Sequence, residues 1–194
     1  AGTQITSIVI PEGVTSIGTS AFSGAPLTSI TLPSTLSSIS GYAFFGSQLT
    51  NVVFPEGITS LDINGAFYGT PINSVTLPSS LTSIGTGSFQ GTQLSSIIIP
   101  EGVTSIGMFA FEGTPLTSLS LPTTLTSIGS YSFANTRLTD LVIPEGVTSI
   151  AASAFQGTPI TSVSLPSTLT SIGDSAFAGT QITSIVIPEG VTSI

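Results

Sequence analysis

The stretch LTSITLP, Leu27 to Pro33, has apolar residues at Leu27, Ile30 and Leu32, with Ser29 and Thr31 between the last of them. In an extended chain alternate side chains point to opposite faces, so Ile30 and Leu32 share one side and the hydroxyl residues take the other. The segment therefore reads as a short strand with a buried apolar face and an open hydroxyl face. Proline closes it, having no N–H to continue a ladder. Prolines recur in that position at Pro11, Pro33, Pro55, Pro78, Pro100, Pro122, Pro144, Pro166 and Pro188. Every step is 22 residues except the 23 between Pro55 and Pro78. The extra residue falls in SLDINGAF (Ser60 to Phe67), where another rung reads SIGTSAF, and it is expected to bulge outward. A fixed period of this length is the mark of a solenoid.

After the proline, Val14 and Ile17 stand three apart, too far for strand alternation, so VTSIG reads as a turn-like or very short strand segment with Ala21 and Phe22 packed behind it. Phe22, Phe44, Phe67, Phe89, Phe111, Phe133, Phe155 and Phe177 then form a spine along the far side. Behind them comes a column of Gly24, Gly46, Gly69, Gly91, Gly113, Gly157 and Gly179, with Asn135 in the remaining rung. Glycine with asparagine as its one substitute is the choice of a left-handed backbone position. One rung cannot bury its own apolar faces, and stacking must complete its hydrogen bonds.

With core, turn and Phe positions in step, the pattern LTSIxIPxxVTSIGxxAF resembles the BspA-type (Treponema-type) leucine-rich repeat over residues 1–194. The chain is read as a single right-handed leucine-rich-repeat solenoid of about eight and a half rungs. A parallel sheet is expected on one face and short turns or 3₁₀ segments on the other, with little or no α-helix. The sequence departs from the pattern in carrying Gly-Thr where many members have Cys after Ala-Phe, and in a repeat one residue shorter. The resemblance implies surface-exposed bacterial or protist proteins that work in adhesion and protein binding. An extracellular or cell-surface location and a protein or extracellular-matrix partner follow as expectations.

Composition narrows the function. Charged residues make up 5% of the 194, against about 25% in ordinary soluble proteins. One Arg, no Lys and nine acids give a net charge of -8, which offers no cationic surface to a phosphate backbone, so no nucleic-acid partner is expected. Ser, Thr, Pro or Gly interrupts every apolar run well short of the roughly 18 residues of a membrane span. Without His, Cys or Lys there is no usual general base or nucleophile pair, and no thiolate or imidazole metal ligand. No catalytic residue, cofactor or metal is assigned.

A second period overlies the first. Pro-Glu-Gly turns at Pro11, Pro55, Pro100, Pro144 and Pro188 alternate with Pro-Ser or Pro-Thr turns, so the unit is about 44 residues. Before the strand, Pro26, Pro71, Pro115 and Pro159 alternate with Gln or Arg137. On the open face Val9, Val53, Ile98, Val142 and Val186 alternate with Thr or Ser, which spaces them about 9.6 Å apart. This alternation fits duplication of a two-rung unit, and equally a weakly apolar stripe for a partner.

Three further features are candidates. Glu12, Glu56, Glu101, Glu145 and Glu189 repeat about 9.6 Å apart, too far to share a calcium ion, and read as a solvated acidic edge. Thr15, Thr59, Thr82, Thr104, Thr126, Thr148, Thr170 and Thr192 form a hydroxyl ladder that resembles the ordered faces of ice-binding solenoids, or one that bonds the backbone locally. Binding residues are also sought where repetition breaks, at Asp62, Asn64, Met108, Phe109, Arg137 and Asp140. Arg137 and Asp140 share a strand and read as a local ion pair or part of an interaction surface. Phe45, Tyr68 and Phe109 read as extra packing or as exposed aromatic contacts. The favoured function is an extracellular scaffold or adhesin segment, with ice binding and a self-assembling filament or sheath as alternatives. Because GTQITSIVIPEGVTSI occupies both residues 2–17 and residues 179–194, the chain is expected to be a window of a longer array, or a unit whose ends stack on neighbours.

Overall fold

The computed structural model describes residues 3–61 and 64–194. In chain order the strands are β1 (Ser7–Val9), β2 (Ser16–Ile17), β3 (Ser29–Thr31), β4 (Ser38–Ile39), β5 (Asn51–Val53), β6 (Ser60–Leu61), β7 (Ser74–Thr76), β8 (Ser83–Ile84), β9 (Ser105–Ile106), β10 (Ser127–Ile128), β11 (Asp140–Val142), β12 (Ser149–Ile150), β13 (Ser162–Ser164) and β14 (Ser171–Ile172). All pairings are parallel and join residues one period apart, such as Ser7 with Ser29 and Ser127 with Ser149. Asp62 and Ile63, where the extra residue and its expected bulge fall, lie outside the described residues. Ser60 still faces Ser83, and Phe44 N–H still reaches the Ala66 carbonyl at 2.9 Å.

Two ladders run along the solenoid. The leucine strands form the first, and within it Leu27, Leu49, Leu94, Leu116 and Leu138 are fully buried. The second is built by the Ser-Ile pairs that follow each turn. It is the longer one, six strands in the order β14, β12, β10, β9, β8, β6, with β2 and β4 paired beside it. Of the two readings of VTSIG, turn-like or a very short strand, the structure takes the second, and it builds a parallel sheet of its own. Two residues suffice because Thr N–H groups extend the pairing by one more bond per rung, as from Thr126 to the Thr104 carbonyl at 2.9 Å. The third side is made of turns with no helix assigned among the described residues.

Between these sides lies the phenylalanine spine. Successive rings from Phe22 to Phe177 stack with centroids 5.2 to 6.0 Å apart and planes within 13° of parallel. That is the offset-stacked range, and such pairs add about 0.5–1.5 kcal/mol beyond the area they bury. The glycine column behind the spine has φ between +66° and +73°, and Asn135 has +57°, as expected of a left-handed position. The threonine after it closes the turn, since Thr70, Thr92, Thr114 and Thr158 each donate a hydroxyl hydrogen to the spine Phe carbonyl three residues earlier at 2.8 Å.

Two buried hydroxyls, Ser47 Oγ and Ser132 Oγ, find no partner. Ser132 sits where neighbouring rungs carry Ala110 and Ala154. Replacing Ser132 by Ala removes a stranded polar group and is expected to raise stability by about 1 kcal/mol in denaturant unfolding. Phe133→Ala opens the spine and is expected to cost about 3–5 kcal/mol in the same experiment.

Candidate interaction surface

The Pro-Glu-Gly turns at Pro11, Pro100 and Pro144 differ in backbone geometry from the Ser/Thr turns, whereas Gly57 and Gly190 show no positive φ. In both types, the N–H three residues after the proline bonds the proline carbonyl, as from Val14 to Pro11 at 3.3 Å and from Leu36 to Pro33 at 3.1 Å. Gly13, Gly102 and Gly146 take φ of +93° to +102° in the third position, the requirement of a type II turn. Ser and Thr rungs show no positive φ there. Four of the five Pro-Glu-Gly turns are clasped to the turn of the next rung. Glu12 accepts hydrogen bonds from Ser34 N–H (3.0 Å) and Ser34 Oγ (2.9 Å). Thr35 Oγ1 accepts from Gly13 N–H and donates to the Val14 carbonyl, both at 2.9 Å. The clasp recurs from Glu56 to Ser79, Glu101 to Thr123 and Glu145 to Ser167. The acidic edge is exposed, and its carboxylates are structural partners of the following rung.

The strand ladder keeps the same phase. β1 pairs with β3, β5 with β7, Ile98 with Ser120 and β11 with β13, and no backbone hydrogen bond joins β3 to β5. At three boundaries between units the strands part and a groove opens. Grooves of about 580 and 480 Å³ lie beside Val53 and Ile98, and a smaller one of about 250 Å³ beside Asp140 and Val142. The boundaries are held instead just before the strand. There Gln93, Arg137 and Gln181 N–H groups bond Ile72, Leu116 and Ile160 carbonyls at 2.7 to 2.9 Å, a bond that the alternate Pro71, Pro115 and Pro159 cannot donate.

The predicted stripe is exposed: Val9, Val53, Ile98, Val142 and Val186 are 60 to 86% accessible. Arg137 and Asp140 are both exposed and do not bond each other; the Asp140 carboxylate accepts from Thr139 Oγ1 at 3.0 Å and Ser162 Oγ at 2.8 Å. Asp62 lies outside the described residues. The threonine ladder is exposed, and its hydroxyls face inward along the chain. Thr82, Thr126 and Thr170 Oγ1 donate to the carbonyls of Thr59, Thr104 and Thr148 at 2.9 Å, with Thr104 and Thr192 making longer bonds of 3.3 and 3.4 Å. Phe45, Tyr68 and Met108 are exposed and Phe109 is half-buried, so these aromatic residues are contacts on the surface more than extra core.

Among the described residues no group of three or more acidic side chains gathers as a metal cluster, and no helix is long and apolar enough to cross a membrane. Residues 1–107 and 82–194 match the family described as BspA type leucine rich repeat region, in six copies. A leucine-rich repeat protein from Bacteroides ovatus superposes with a TM-score of 0.65 at 25% identity, over 94% of this chain and 60% of its own. A leucine rich cell surface protein from Faecalibacterium prausnitzii does so at 0.59 and 27% identity, over 97% and 59%. The chain thus spans about three fifths of those two proteins. YopM from Yersinia enterocolitica, 15% identical with a TM-score of 0.57 over 88% of this chain and 39% of its own, shares the fold. No curated protein matches the sequence.

The clasp has a pH signature. Hydrogen bonds from the Ser34 and Ser167 backbone and hydroxyls hold Glu12 and Glu145 below the ordinary carboxyl value of 4.5, and those from the Ser79 hydroxyl and backbone do the same to Glu56. A depressed folded-state value means that the contribution is complete above 4.5 and is lost as pH falls through the folded value. The thermal midpoint of the protein relative to a Glu12→Ala, Glu56→Ala, Glu145→Ala variant is therefore expected to be highest near neutral pH and to converge below 4.5. A constant gap across that range contradicts the clasp.

Proposed function

The chain belongs to the BspA-type leucine-rich repeat family, and on that premise we propose that it is a non-catalytic cell-surface scaffold whose strand face binds a protein or extracellular-matrix partner. The observation that carries the reading is the stripe of five exposed β-branched side chains, set two rungs apart, three of them beside grooves whose flanking strands are not paired to each other. Those three positions each offer an apolar anchor next to peptide groups free to hydrogen-bond, the combination that desolvated contact centres use. Repetition at about 9.6 Å lets an elongated partner engage several such points at once. A surface with a net charge of -8 and a single cation does not suit nucleic acid. The description of the Faecalibacterium relative as a cell surface protein supports the location.

Replacing Val53, Ile98 and Val142 together by Ser, as found in alternate rungs, leaves the core untouched. Against a panel of purified extracellular-matrix proteins, the triple variant is expected to bind at least about tenfold more weakly than the parent, equivalent to about 1.4 kcal/mol, with an unchanged thermal midpoint. Equal binding by both proteins counts against this face.

A further inference from the structure

On the turn side the residue before each Ala-Phe or Ser-Phe pair takes a left-handed backbone: Ser20, Tyr42, Gly65, Gly87, Phe109, Tyr131, Ser153 and Ser175 all have φ between +55° and +61°. Glycine is at ease there, and a bulky aromatic residue is strained. Yet three of the eight positions, the second, fifth and sixth, hold aromatic rings. Burial does not explain them, since Tyr42 is 48% and Tyr131 36% accessible. Strain retained on a surface, without burial to offset it, points to a use outside folding.

The rings frame a slot. Tyr42, Phe45 and Tyr68 form one wall, Phe45 stacking on Tyr68 at 5.6 Å and meeting Tyr42 edge-on at 6.0 Å. Phe109, stacked on Tyr131 at 5.2 Å, forms the opposite wall. Gly65 and Gly87 line the slot between those walls and carry no side chain in this column; a Cβ there would come 3.3 Å from Tyr42 Cε1 and 3.2 Å from Gln90 Oε1 respectively. Tyr42 and Phe109 stand three rungs apart, about 14 Å along the axis. The cavity measures about 330 Å³, within the range of small-ligand sites of about 300–1,000 Å³. Its edge is polar: Asn64 and Thr86 line it, and Gln90 donates from Nε2 to the Glu112 carboxylate at 2.6 Å.

We propose that the aromatic slot over Gly65 and Gly87 binds a short neutral oligosaccharide. Apolar C–H faces of sugar rings match the ring faces of Tyr42, Tyr68 and Phe109, and sugar hydroxyls donate to the amide oxygens of Gln90 and Asn64, which line the slot. The absence of any Lys and the net charge of -8 disfavour an anionic glycan. A proline-rich peptide also suits aromatic grooves. It lacks N–H donors at its prolines, though, and would leave those two acceptors desolvated and unmatched.

The chain supplies its own probe, because its three tyrosines, Tyr42, Tyr68 and Tyr131, are all in this patch and it has no Trp. Titration of the full chain with cellotriose, maltotriose and mannotriose is expected to give a saturable change in tyrosine absorbance and fluorescence with at least one of them. Phe109→Gly keeps all three tyrosines and places there the residue that the same column holds at 65 and 87. It is expected to weaken binding at least tenfold with a thermal midpoint equal to or above the parent's. Tyr42→Gly, followed by calorimetry, should do the same. No saturable response to any of the three sugars, full binding by both variants, or a response to decaproline alone overturns the proposal. The site lies away from the strand face, so the outcome is independent of the Val53, Ile98 and Val142 test.

Discussion

No rung of this protein closes its own hydrogen bonds across the stack. Apart from the short turn bonds, each backbone N–H bonded to a carbonyl reaches one 21 to 24 residues away: Phe22 to Ala43, Phe111 to Ser132, Thr170 to Thr148. A buried peptide group left unpaired is costly, so every rung must present the same backbone at the same height as its neighbours. From that constraint come the strict period, the ring-on-ring spine and the left-handed glycine column. Stability in such an array is a sum of rung and interface terms. What sets this chain apart is that its interfaces are of two kinds.

Inside a unit, a Glu-Gly turn meets a Ser/Thr turn, the carboxylate bridges them and the leucine strands pair. Between units the leucine-strand pairing stops, and the junctions rely on the stacked rings, on the Ser-Ile ladder from β6 onward, and on the N–H of Gln93, Arg137 or Gln181. At one of these turns the glycine is fitted to that second junction as well. A Cβ on Gly57 would sit 2.7 Å from the Leu36 carbonyl oxygen of the preceding rung. Glu reaches forward to the next turn, so the two-rung alternation is a pattern of contacts, whatever duplication produced it. The exposed Val and Ile side chains fall on the rung that opens each unit, which ties the candidate binding face to the same alternation.

Features that depend on one column at a time were legible in the sequence. The strand alternation of LTSITLP, the Phe column and the Gly column with Asn135 each repeat a single chemical demand, and each appears in the structure as read. Features that join two columns, or rest on two residues, were not. VTSIG has no alternation long enough to reveal a strand, because its second sheet needs only Ser and Ile from each rung. The role of Glu12 was hidden because its partner, Ser34, is one full period away; the clue was the alternation of Glu-Gly with Ser/Thr, which duplication alone could also produce. Arg137 and Asp140 looked like an ion pair by proximity, yet the hydroxyls of Thr139 and Ser162 take the carboxylate. The strain at Tyr42, Phe109 and Tyr131 was signalled faintly by Gly65 and Gly87 in their column.

If the two-rung unit is the physical repeat, stability should follow phase before length. Removing residues 101–144, a 44-residue unit, joins Pro100 to Glu145 and restores the order of turns. Removing residues 101–122, a single 22-residue rung, joins Pro100 to Thr123, deletes Glu101 and sets one Ser/Thr turn against another. Thermal unfolding of the two proteins is the direct measurement. The longer deletion is predicted to melt at the higher temperature despite having fewer rungs, whereas a higher midpoint for the protein lacking only one rung would show that the rungs are equivalent and the clasp incidental.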